Sequence, residues 1–195
     1  MAEITTDVIK ALRDETKVSV MQCKKALEEA GGDVEKAKVI LRKISAQASA
    51  KKADRELGAG TAAAYVHAGG QVVGAVVLSC ETDFVSKNEE FMKLAKDIAM
   101  HVAAMAPQFL NRDQVRDEDT KAAKEVFMGE VANIPEGKRE VALQGKIDSY
   151  LKDKVLLDQP FVKDPAVTIQ GLLDNAVQKF GEKTVITRFE RLSVK

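Results

Sequence analysis

The chain has 195 residues, with 30 Lys and Arg set against 30 Asp and Glu, so its formal net charge is zero. A composition 45% hydrophobic and 31% charged is that of a globular protein, and the length suits one medium domain or a small one beside a larger one. Zero net charge removes the simplest case for nucleic acid, which is bound through clustered Lys and Arg, and no apolar run approaches the roughly 20 residues that span a bilayer. Cys23 and Cys80 form no CxxC, so neither a disulfide framework nor a thiolate zinc site is indicated. Glu3 and Asp7 stand where a leader would be basic. The expectation is a cytoplasmic protein with no direct nucleic-acid or membrane partner.

Three short helices open the chain. Val8, Ile9 and Leu12 give one apolar stripe, Cys23, Ala26, Leu27 and Ala30 a second, and Val34, Ala37, Leu41 and Ile44 a third. Ser19 with Gln22 fits a capping box, Gly31-Gly32 ends the second helix, and Asp33 caps the third. Residues 1–45 therefore read as a small bundle serving as a binding module. Residues 46–60 read as a partly helical linker, rich in Ala and Lys. Around it Arg42, Lys43, Lys51, Lys52 and Arg55 outnumber Asp54, which suits a solvated linker helix or a local basic surface.

The periodicity then changes. Thr61–His67 and Val72–Ser79 are β-prone and joined at Ala68-Gly69-Gly70-Gln71, a hairpin pattern. The second run is almost continuously apolar, so it is expected to be a central strand. A helix is predicted from Ser86 or Asn88 to about Ala106, with Ser86 and Glu89 as a capping box and Pro107 as the stop. Helices near Asp117–Ala132 and Gly137–Lys152 follow, split by Pro135. The chain turns through Gln159-Pro160-Phe161-Val162 and Asp164-Pro165. It ends with a helix over Thr168–Phe180 and a strand over Thr184–Leu192. Residues 61–195 thus predict an α+β core, a three-stranded antiparallel sheet faced by helices.

Catalytic motifs are missing. There is no phosphate-binding GxxxxGK[ST], no GxGxxG after a strand, no HExxH and no GxSxG. His67 and His101 are the only histidines, and no cofactor is implied. Cys80 ends a strand, where it reads either as a nucleophile or as a small buried hydrophobe; no base lies near it, and neighbouring carboxylates would raise its pKa. Glu81-Thr82-Asp83-Phe84-Val85-Ser86 forms the corner between central strand and helix. Phe84 there is either a core anchor or an aromatic wedge aimed at a partner. On the next helix Phe91, Leu94, Ala95, Ile98, Val102 and Met105 share a face, His101 sits at its edge and Met100 points away.

Four runs, in order, resemble bacterial elongation factor Ts: MQCKKALEEAGGDVEKA (21–37), ETDFVSKNEEF (81–91), AMHVAA (99–104) and QPFVKD (159–164). The resemblance covers nearly the whole chain. It implies a ubiquitin-associated-like amino-terminal bundle and a guanine nucleotide exchange factor that binds the GTPase elongation factor Tu and speeds GDP release, with no chemistry of its own. It also implies partner-binding residues. Asp83 and Phe84, between Thr82 and Val85, would intrude near the GTPase's Mg²⁺ site, and His101 would disturb the phosphate side. Arg13, Val20, Met21 and Lys24 would face the GTPase from the bundle, and Val162 would make a further contact.

The family run Thr-Gly-Ala-Gly-Met-Met-Asp is replaced here by Thr16-Lys17-Val18-Ser19-Val20-Met21-Gln22. That departure keeps an alternative open, a protein-binding adaptor of the same fold that does not promote exchange. Longer members carry two core subdomains, and this chain has the residues of one, which implies a homodimer. Glu190 stands where some short members have a cysteine that links their copies.

Overall fold

Local signals place most of the element boundaries. The computed structural model describes residues 4–16 and 18–194; Glu3 and Lys17, named above, lie outside the described residues. The first three elements are α1 (Thr6–Thr16), α2 (Val20–Glu29) and α3 (Val34–Ala50). Ser19 is extended and accepts the Gln22 N–H at 3.3 Å, while its hydroxyl donates to Gln22 Oε1 at 2.9 Å. Asp33 accepts the Lys36 N–H at 3.1 Å and starts α3. α3 carries on past Ser45 to Ala50, so the segment read as a linker begins as helix.

The hairpin follows as β1 (Ala59–His67) and β2 (Val72–Cys80), then α4 (Asp83–Ser86) and α5 (Glu89–Met105). Ser86 does not cap α5. Its hydroxyl donates to the Asp83 carbonyl at 3.2 Å, and Asn88 Oδ1 instead accepts the Glu90 N–H at 2.9 Å. α6 (Asp117–Glu130) and α7 (Glu136–Lys154) are divided at Pro135 as expected. The turn region 159–168 holds a ladder that sequence reading missed: β3 (Pro160–Phe161) pairs antiparallel with β4 (Asp164–Thr168), with an irregular register between Pro160 and Phe161. α8 (Ile169–Phe180) and β5 (Val185–Ser193) close the chain. The main sheet has the order β1-β2-β5 and is antiparallel, with the apolar β2 at its centre. The architecture is α+β.

The chain divides into two compact units, one of residues 1–63, 76–96 and 170–187, the other of 64–75, 97–169 and 188–195. In the first, Leu12, Val18, Cys23, Ala26, Leu27, Ala37 and Leu41 form the core of the helical bundle. Elsewhere in that unit Leu78, Cys80, Phe91, Ala95 and Val177 are buried, and the rings of Phe91 and Phe180 meet edge to face at 5.7 Å. In the second, Ile147, Leu151 and Val155 pack with Phe109, Val115, Phe127, Leu143 and Tyr150. Gly74 seats α5 in this unit. A Cβ there would lie 2.1 Å from the Ala99 carbonyl oxygen and 2.6 Å from the Ala103 nitrogen, so only glycine lets strand and helix backbones come this close. Among the described residues, no helix is long and apolar enough to cross a membrane.

Candidate functional site

The sequence left Phe84 open between core and surface, and the fold resolves it. Phe84 is 86% exposed on α4, while its neighbour Val85 is buried and anchors the corner. Asp83 beside it is exposed, and the Lys87 ammonium, 2.7 Å from Oδ2, holds its carboxyl below the ordinary aspartate value. Thr82 precedes α4 in an extended conformation, and its hydroxyl makes no cap bond to the helix. It donates instead to Glu182 Oε1 at 2.6 Å, while the N–H groups of Glu81 and Thr82 both donate to Glu182 Oε2, at 3.1 and 3.0 Å. Glu81 returns the contact: its Oε1 accepts the Lys183 N–H at 2.6 Å, and both of its oxygens lie 3.2 Å from the Arg55 guanidinium. Together these donors hold the Glu81 carboxyl below its usual value, the Lys183 N–H foremost.

Cys80 lies beneath this corner. Its thiol is buried and donates to the Thr82 carbonyl at 3.2 Å, and burial, reinforced by the Glu182 charge, pushes its pKa up. Burial and the raised pKa both work against a thiolate nucleophile at Cys80 and favour the reading as a small buried hydrophobe. Among the described residues, no group of three or more His, Cys, Asp or Glu is placed to hold a metal ion.

His101 departs from its place at the edge of the α5 face: it is fully buried in the second unit. Its Nδ1 accepts the Val162 N–H at 3.2 Å, which leaves Nε2 to donate to Gln159 Oε1 at 2.9 Å. Gln159 Nε2 in turn donates to the Asp153 carbonyl at 2.7 Å, which orients the amide. Burial lowers the His101 pKa from 6.5, so the ring is a neutral, fully bonded imidazole. Its ring also lies 6.0 Å from that of Phe161. The structure therefore brings His101 and Val162 together, with Val162 41% exposed at the rim. Met105, placed on the same face as Ile98 and Val102, is exposed at the last residue of α5, while Ile98 and Val102 are buried and Ala99 and His101 are buried beside them.

The bundle candidates Arg13, Val20, Met21 and Lys24 are all exposed, with Met21 at 64%. Arg13 pairs with Asp14 at 2.9 Å, and Lys24 lies 3.8 Å from Glu28. Ser19, one of the departures from the family run, has φ −62° and ψ 147°, an ordinary extended conformation in which glycine has no advantage. Val18 fills the bundle core.

Glu182, Lys183 and Gln159 escaped the sequence reading. A signal for the first two exists. Gly181 ends α8 at φ +74°, in the left-handed region that favours glycine, so residues 182–184 must lead into the last strand. Pairing that strand antiparallel to β2 sets its start opposite the end of β2, as the 2.9 Å contact between the Ser79 and Thr187 hydroxyls shows.

The model for the family described as elongation factor TS matches residues 2–195. The chain is 43% identical over 193 residues to elongation factor Ts of Desulforamulus reducens, covering 98% of this chain and 89% of that one. It is 45% identical over 193 residues to that of Alkaliphilus metalliredigens, with the same coverage. To that of Herpetosiphon aurantiacus it is 41% identical over 195 residues, covering 98% of each.

Proposed function

The chain belongs to the elongation factor Ts family of translation elongation factors, and from that premise we propose that it is a guanine nucleotide exchange factor for elongation factor Tu. In this reading the GTPase releases GDP when the Asp83–Phe84 wedge enters near its Mg²⁺ site. The observation that carries the reading is the exposure of Phe84 on a corner whose backbone is held by charged side chains. A large apolar ring kept in water is unfavourable for the free protein and is retained where a partner covers it.

Coupling supplies the mechanism. Mg²⁺ and the phosphates hold GDP in the GTPase, and a factor that binds the empty form more tightly weakens GDP binding by the same ratio by which GDP weakens its own. Exchange makes and breaks no covalent bond, so this chain needs no catalytic group. Thr82 and Val85 set the wedge in place. The bundle (1–45) docks through Arg13, Val20, Met21 and Lys24, joined by the linker (46–60) to the core (61–195), and Val162 adds a contact. His101 is buried, so its part is to hold the segment from which Val162 projects; reaching the partner's phosphate side directly requires that segment to move. The chain works as a homodimer in the cytoplasm, and the exposed apolar Val66 and Leu192 on β1 and β5 suit pairing of the sheets. A monomer by light scattering at micromolar concentration contradicts the dimer.

The test is release of fluorescent GDP from elongation factor Tu. Wild type accelerates release, and Phe84→Ala lowers the acceleration about 30-fold, the order of a hot-spot contact of about 2 kcal/mol. Equal rates for the two proteins remove the wedge. Tight binding with no acceleration by wild type establishes the adaptor reading in place of exchange.

A further inference from the structure

Phe84 carries a mechanical difficulty. A ring 86% exposed is not held by packing, so its position in the free protein is only as definite as the backbone beneath it. That backbone belongs to a four-residue helix, too short to be rigid alone, and its N-cap threonine spends its hydroxyl elsewhere. The restraint comes from 100 residues further along the chain. Glu182 accepts three hydrogen bonds from Glu81 and Thr82, and the Lys183 N–H donates to the Glu81 carboxylate. The Lys183 ammonium faces the other way, donating to the carbonyls of Ala53 and Arg55, at 2.5 and 2.9 Å, just beyond the end of α3. Arg55 closes the circuit on Glu81.

We propose that Glu182 and Lys183 are positioning residues for exchange: Glu182 fixes the turn that presents Phe84, and Lys183 ties that turn to the segment following the bundle's last helix. The proposal rests on the wedge reading and names what preorganises it. Two adjacent side chains then govern both surfaces offered to the GTPase. Binding gains from such a joint because the ordering of the turn precedes encounter with the partner. Neither residue touches the partner in this account; each acts through backbone groups of the corner or the linker. Because the residues involved are only partly buried, water replaces a lost bond, and removing Glu182 loosens the corner without unfolding the chain.

The experiment combines three readouts on the full chain: amide hydrogen exchange at Glu81 and Thr82, the maximal rate of GDP release from elongation factor Tu, and the concentration giving half that rate. Glu182→Ala is expected to expose both amides and to lower the maximal rate about tenfold, the order for a group displaced rather than removed. Glu182→Gln keeps a carbonyl oxygen able to accept both N–H bonds, and is expected within about threefold of wild type. In a Phe84→Ala background Glu182→Ala adds no further loss, because the group it positions is gone. Lys183→Ala is expected to raise the half-saturating concentration several-fold, since it frees the linker rather than the wedge.

A wild-type rate in Glu182→Ala, with Phe84→Ala slow, overturns the positioning role and leaves the wedge reading standing. An equal loss in both backgrounds overturns it too, since Glu182 would then act apart from Phe84. If Phe84→Ala itself exchanges like wild type, the wedge reading fails and the positioning role falls with it. Unprotected Glu81 and Thr82 amides in the wild type overturn the clamp whatever the rates. Should Glu182→Ala fail to fold, the same comparisons are made with Glu182→Gln, whose rate must then exceed that of Phe84→Ala while its amides stay protected; any other result rejects the proposal.

Discussion

The corner at residues 81–86 and the histidine segment around His101 use polar groups in opposite ways. At the corner, the carboxylates of Glu81 and Glu182 are only partly buried, and they spend acceptor capacity on backbone N–H groups while one apolar ring stands in water. Around His101 the polar groups are buried and neutral, each nitrogen matched to one partner, and the exposed product is the rim residue Val162. The first arrangement tolerates loss of a bond because solvent substitutes for it. The second does not, because a buried donor or acceptor without a partner retains its full desolvation penalty. Positioning of a surface group can thus be done by charge at the rim or by a closed network in the interior, and the two differ in how they fail.

The strongest way to break the comparison is at the seat of the interior network. Gly74→Ala drives a methyl against the Ala99 and Ala103 backbone, and a loss of about 3 kcal/mol in denaturant unfolding is expected. His101→Ala should follow, at about 2 kcal/mol, because it strands the Val162 N–H and the Gln159 amide. Phe84→Ala, measured the same way, should change stability by less than about 0.5 kcal/mol, since the ring buries little area. A Phe84→Ala loss as large as that of His101→Ala would erase the distinction between the regions.

The pH dependence sharpens it. Burial lowers the His101 pKa below its unfolded value of 6.5, so the folded chain binds fewer protons there than the unfolded chain does. The stability linked to this group is therefore fully present above pH 6.5 and is lost as pH falls through the folded value. Unfolding of wild type and His101→Gln at pH 7.5 and 5.5 checks this: the drop should be larger in wild type. The smallest effect belongs to the Asp83–Lys87 pair. Both side chains are exposed, and Lys87→Ala should leave the denaturant midpoint unchanged.

Much of the fold could be read without coordinates. The stripes at Leu12, Leu27 and Leu41, the caps at Ser19 and Asp33, the break at Pro135 and the apolar run of β2 each led to the right element, because helix and strand periodicity act over a few residues. The short β3–β4 ladder was missed, since Asp164-Pro165 carries a turn signal stronger than any strand signal. The Ser86 cap was misplaced by two residues because the chain makes a separate turn of helix first. At the site, the sequence marked the corner and the histidine but not the groups that hold them. Glu182 and Gln159 stand 100 and 58 residues from the side chains they bond, a separation that no local periodicity spans.

The amino-acid order alone was enough for the α+β class, the helical bundle, the hairpin and the family resemblance, all of which rest on contacts or motifs within a few turns of chain. Whether Phe84 lay in the core or in water, and whether His101 stood at a surface or inside, depended on which distant segments return to cover them. Glu182 came back to grip the corner from beneath and left the ring outside. Gln159 and Val162 came back over α5 and closed the histidine in. Burial is a property of the assembled layers, and residues with the same local pattern part company there.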